Sequence, residues 1–108
     1  MDVLFADEKT RRSFSRLESL QRQFGDVGAK KIALRLQQLQ AAPTLAHMRS
    51  MPGRCHALTV DRVGSFAVDV HHPHRLVFRP HPPIDGGEEG DPWRHVEAVT
   101  IIEVVDYH

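Results

Sequence analysis

The hydrophobic periodicity of this chain changes once, at Pro52-Gly53, and that change limits the fold more than any other feature. Before it, apolar residues recur every three or four positions; after it, they come in short runs that alternate every second position. Helical spacing gathers side chains on one stripe, whereas alternation gathers them on one face of a strand. The two halves therefore cannot share an element type. Helices fill the first half, strands the second, and a leading run "DVLFA" adds one short strand ahead of the helices.

Within the first half, Phe14, Leu17, Leu20 and Phe24 define a helix that starts from an N-cap at Asp7 and runs to about Gln23. Gly25 stops it and Asp26 caps a second helix. Ala29, Ile32, Ala33, Leu36 and Leu39 form the apolar stripe of that helix, with Lys30, Lys31 and Arg35 mostly off it, and Pro43 ends it. "TLAHMRSM" reads as a short helical turn. Beyond Gly53, "RCHALTV", "SFAVDVH" and "RLVFR" are rich in β-branched and aromatic residues, and the turn signals "DRVG" and "HHPH" separate them. "RPHPPIDGGEEGDP" is a polar Gly/Pro-rich loop. "VEAVTIIEVVDYH" follows as the longest strand, apolar on both faces through its middle, which suits a central position. The element order predicts an α+β fold with a mostly antiparallel sheet.

The chain has 108 residues, which predicts a single domain over 1–108 with one core. One cysteine, Cys55, excludes an intramolecular disulfide and fits a reducing compartment. The opening "MDVLFADEKTRRSF" lacks the pattern of a signal peptide, and no apolar run approaches the length of a membrane span. A cytoplasmic protein without membrane contact is expected. Net charge is zero, but the charges are segregated: from Lys9 to Arg79 there are thirteen Lys or Arg against four acids, an excess of nine. Such a middle suits a polyanionic partner or a solvated helix surface, and charge alone does not choose between them.

Strand alternation sorts the candidate site residues. In "RLVFR", Leu76 and Phe78 share one face, and Arg75, Val77 and Arg79 the other. Burying the arginines without partners would cost several kcal/mol. Leu76 and Phe78 are thus expected against the helices, with Arg75 and Arg79 on an open face. A regular last strand puts Asp106 and His108 on one face and Tyr107 on the other. In "RCHALTVDR", His56 shares a face with Arg54 and Leu58, opposite Cys55. Cys55, His56 and the "HHPH" histidines have the donor types that zinc prefers, but no CxxC or helical His pair accompanies them. Cys55 reads as a small apolar residue, and His71, His72 and His74 as turn residues.

"PGRCHALTVDRVGSFAVDV", "HPHRLVF" and a final "EVVDYH", in this order, resemble the HigB branch of the RelE/ParE superfamily of bacterial toxins. The resemblance covers essentially the whole chain, and the helical hairpin is its least specific part. It implies a two-helix hairpin packed on a twisted antiparallel sheet, a RelE-like fold whose concave side binds RNA. It also implies cleavage of messenger RNA in the ribosomal A site and neutralisation by a cognate helix-turn-helix antitoxin. The family's catalytic histidine falls on His56 and its "RL-x-F" arginine on Arg75. Its terminal acidic, aromatic and imidazole residues fall on Asp106, Tyr107 and His108. Some members carry a lysine just after the first histidine, where this chain has Thr59.

RNA can be cut with its own 2′-hydroxyl as nucleophile, so the protein needs a base, an acid and positive charge for the phosphorane. Histidine titrates near neutrality and can take either proton-transfer role. His56 and His108 are the acid–base candidates, Arg75 the electrophile, Asp106 an orienter or base, and Tyr107 a substrate contact. Arg54, Arg62 and Arg79 are candidate RNA contacts. The reaction so written needs no metal or other cofactor. Two other readings stay open: a non-catalytic module of the same fold, as in a ParE-like gyrase inhibitor or a degenerate toxin, and a small metal- or nucleic-acid-binding accessory protein.

Overall fold

A computed structural model describes residues 1–84 and 90–106 of the chain; Tyr107, His108 and the centre of the Gly-rich loop lie outside them. Among the described residues, five strands form one sheet in the order β1-β5-β4-β3-β2. These are β1 (Asp2–Phe5), β2 (His56–Ala57), β3 (Phe66–Asp69), β4 (His74–Pro80) and β5 (Ala98–Asp106). Only β1 and β5 pair in parallel; the other three pairings are antiparallel. The α+β expectation holds, and the last strand is interior, between β1 and β4, while β4 takes the central place.

The helices are cut differently from the sequence expectation. Asp7 is an N-cap: its Oδ1 accepts the Thr10 N–H at 2.7 Å and opens α1 (Glu8–Ser15). The chain then leaves helical geometry at Arg16 (φ −124°, ψ 123°) instead of running on to Gln23, and α2 (Leu17–Ala41) begins. Gly25 interrupts α2 with φ 74° and ψ 174°, a conformation in which a Cβ is strained although nothing crowds the position. The Gly25 stop is therefore real, but a second break precedes it. A 3₁₀ turn over Leu45–Ser50 matches the expected short helix.

The core fills the space between helices and sheet. Leu20, Ala29, Ile32 and Leu39 from α2 meet Phe66, Val68, Leu76, Phe78, Val99 and Ile101 from the sheet, all buried. Each large side chain among them contributes roughly 1.5–3 kcal/mol by leaving water. Arg35 is a correction: it was expected off the stripe, yet it is 5 % exposed. It stands three residues after Ile32 and four before Leu39, and so shares their face. Its Nε donates to the Asp69 carbonyl at 2.7 Å and an Nη donates to Gln38 at 2.9 Å, which makes the burial tolerable. Burial lowers the guanidinium pKa and the negative charge of Asp69 opposes that shift.

Candidate functional site

Register assigns each candidate to a face, because residues paired across strands point the same way. His56, Ala67, Val77 and Glu103 form one rung, and Asp69, Arg75 and Val105 the next. Leu76, Val68 and Val104 belong to the opposite, helix-packed face. His56 and Arg75 thus share the face away from the helices. Two strand spacings and two residues separate them, about 12 Å between Cα atoms. Cys55 packs against the core from the other side, and burial pushes its thiol pKa up to about 12, so it serves as an apolar filler.

Hydrogen bonds link these residues into a continuous chain. The Arg75 Nε donates to Asp69 Oδ1 at 2.9 Å and the Arg54 Nε to Asp69 Oδ2 at 2.6 Å. The Arg54 carbonyl stands 2.7 Å from Nδ1 of His56. A carbonyl only accepts, so Nδ1 carries a proton and, in the neutral ring, Nε2 is the acceptor. Partial burial raises the Asp69 carboxyl, but the hydrogen bonds and charges of Arg54 and Arg75 lower it by more, leaving its pKa below the ordinary value.

The face is less open than alternation implied. The segment after β2 leaves the sheet at Leu58, whose N–H donates to Ser65, and a turn closed by the Ser65 N–H on the Arg62 carbonyl brings it back. The expected "RCHALTV" strand is therefore only His56–Ala57. Arg62 leans over the face to pair with Glu103 on β5 at 2.6 Å, and Val77, on the rung between, is 0 % exposed. Arg79 donates its Nε to Ser65 Oγ at 3.1 Å. All three candidate RNA contacts line this face, two of them already tied to carboxylates.

Asp106 alternates away from Arg75. The partner along β5 jumps from Glu103 to Ile101 between Val77 and Phe78, so Ile102 is an extra residue, a β-bulge. Regular alternation from Ile101 would direct Glu103 under the helices and Asp106 to the face of Arg75. The bulge reverses both: Glu103 emerges to meet Arg62, and Asp106 pairs with His74 on the helix side. The strand end is still reachable from the open face, since Val105 and Asp106 line a cleft with Leu58–Arg62. The expected roles of Tyr107 and His108 fall outside the described residues.

His74 opens β4 and packs edge-on against Phe24 with ring centroids 5.6 Å apart, a structural use rather than a turn filler. No group of three or more His, Cys, Asp or Glu placed to share a metal ion occurs among the described residues. Sequence reading missed Asp69, the acid on which Arg54 and Arg75 converge. Its only signal was position in an alternating run, where it shares a face with Ala67.

The fold of this five-stranded sheet, backed by an N-terminal helical pair, matches that of solved YoeB/ParE toxins. The chain superposes on a YoeB/ParE toxin from Agrobacterium tumefaciens over 100 % of both chains, with a TM-score of 0.59 and 14 % identity. It is similar to the YoeB-YefM complex from Staphylococcus aureus (TM-score 0.57, 17 % identity, 100 % of this chain and 97 % of that one). A YoeB dimer from the same organism gives a TM-score of 0.55 at 18 % identity, with the same coverage. By sequence, no family model and no curated protein matches the chain. At such identities the likeness is one of fold.

Proposed function

We propose that this protein is the toxin of a toxin–antitoxin pair, of the HigB type, and that it cleaves messenger RNA on the ribosome by acid–base catalysis. One observation carries the reading: on one sheet face of a YoeB/ParE-like fold, a single carboxylate joins two guanidiniums, and the main-chain carbonyl of one of those arginines holds an imidazole. An RNA phosphate meets there the charge and the proton acceptor that transesterification needs.

In the proposed reaction the 2′-hydroxyl attacks the adjacent phosphorus and its proton passes to a base. The P–O5′ bond breaks, and an acid protonates the departing 5′-oxygen. A 2′,3′-cyclic phosphate and a 5′-hydroxyl result. Neutral His56, with Nε2 as acceptor, suits the base role; His108 is the proposed acid. Arg75, permanently charged and forked, neutralises the non-bridging oxygens. Arg54, Arg62 and Arg79 hold flanking phosphates, and Tyr107 stacks on or hydrogen-bonds to the substrate. Asp106 is proposed as the orienter of the terminal imidazole in preference to a base, because its cross-strand pairing with His74 directs it away from Arg75. The proposed partners are ribosome-bound messenger RNA and an antitoxin with a helix-turn-helix, and the proposed setting is the cytoplasm; no helix of the described residues is long and apolar enough to cross a membrane.

Mapping of mRNA 5′ ends in a translating extract tests this. Wild type should produce discrete cuts, and His56→Ala and His108→Ala should produce none at matched concentration. Intact messenger in the presence of folded wild type would reject the enzyme and leave the non-catalytic toxin fold.

A further inference from the structure

We propose that Asp69 is a positioning residue whose two carboxylate oxygens set the guanidiniums of Arg54 and Arg75 at the spacing in which they meet one RNA strand. The inference rests on the ribonuclease reading and adds to it a residue that touches no substrate atom.

The case begins with how firmly Asp69 itself is held. Its N–H donates to the Gly53 carbonyl at 2.7 Å, and its own carbonyl accepts from buried Arg35 at 2.7 Å. Gly53 has φ 109°, and a Cβ there would lie 2.6 Å from Val68 Cγ2 and 2.9 Å from Arg35 Nε, so this approach requires glycine. The carboxylate therefore projects from a backbone fixed on both sides. Each oxygen then takes one guanidinium by its Nε, at 2.6 Å for Arg54 and 2.9 Å for Arg75. Charge-assisted bonds of this length are the strong class.

Two guanidiniums, those of Arg54 and Arg75, share the one carboxylate, while Arg35 binds the main-chain carbonyl of the same residue. The Asp69 side chain is 28 % exposed and that of Arg75 27 %, whereas that of Arg54 is 73 % exposed. Arg75 is the anchored member and Arg54 the one that reaches solvent. An arginine free to sample its rotamers spends little time in the orientation that a transition state needs; one held at Nε keeps its distal nitrogens aimed.

Kinetics of purified variants on ribosome-bound messenger test this. Asp69→Asn keeps the shape but can accept from only one arginine and removes a negative charge beside the substrate. Expected are a kcat lower by about a hundredfold and a KM unchanged or lowered, with Asp69→Glu recovering part of the kcat. A structural role would instead lower kcat with the folded fraction, leave KM fixed and show no recovery in Asp69→Glu. Wild-type kcat in Asp69→Asn, or that structural pattern, overturns the proposal. A second readout does not need activity: the Nε–H resonances of Arg54 and Arg75 should be slow to exchange in wild type and should shift or vanish in Asp69→Asn. Unchanged resonances overturn the positioning claim even if wild type cleaves RNA. Shifted resonances with an inactive wild type keep the geometry and reject the ribonuclease reading alone.

Discussion

Two cationic regions of this molecule differ in what holds their charges. On the sheet face, Arg54 and Arg75 share Asp69, and Arg62 is paired with Glu103. On the helical side, Lys9, Arg11, Arg12, Arg16 and Arg22 line a cleft of about 760 Å³, where Glu8 holds Arg11 at 2.5 Å and Arg12 at 3.5 Å. Arg16 and Arg22 make no ion pair among the described residues. Exposed pairs such as those of Glu8 are screened and worth little, whereas the half-buried Asp69 cluster keeps its geometry. The lesson is that the central excess of nine positive charges divides into two kinds. Loose cations attract a polyanion from any direction; oriented ones can act on a particular oxygen.

Breaking the sheet side should have the largest effects. His56→Ala should lower cleavage about 10²- to 10⁴-fold, the usual contribution of a positioned base. Arg75→Ala should lower it about 10²- to 10³-fold, with Arg75→Lys recovering little, because an ammonium cannot both bind Asp69 and present a fork. Single-turnover rates on programmed ribosomes check both. The helical side should respond differently: Arg16→Ala with Arg22→Ala should leave kcat unchanged, raise KM a few-fold and flatten its salt dependence by about one to two units of log–log slope. A loss of kcat there would erase the distinction between the regions.

A smaller effect sharpens the comparison by pH. The Asp69 carboxyl is held below its ordinary pKa, so its contribution to stability is complete above the unfolded value and is lost as pH falls through the lowered folded value. Wild type should therefore lose more stability than Asp69→Asn on acidification below about pH 4, as read from urea midpoints at each pH. Equal losses would mean that the cluster is not coupled to folding.

Much of this arrangement was legible in the sequence, and the gaps have physical causes. Period alone separated helices from strands, and Asp7 and Gly25 marked real boundaries because a cap and a left-handed residue are local requirements. Alternation put Arg75 on an open face and His56 opposite Cys55, and strand register joins the two on one face. The break at Arg16 was hidden because no Gly or Pro announces it. Asp69 was hidden because its partners lie 6 and 15 residues away, contacts that only strand register creates. The bulge at Ile102 left no local signal either, yet it moved Asp106 off the face of Arg75 and brought Glu103 onto it. Such a reversal is the known hazard of reading a period-two pattern through one inserted residue.

The central claim is chemical: a substrate hydroxyl is made to displace a neighbouring ribose oxygen between a ring nitrogen and a guanidinium on the sheet. End-group analysis of messenger fragments, from ribosomes treated with the pure protein, tests it most directly. The account predicts 2′,3′-cyclic phosphates on the upstream fragments from wild type and almost none from Arg75→Ala. Linear 3′-hydroxyl ends, or equal yields from the two proteins, would contradict it.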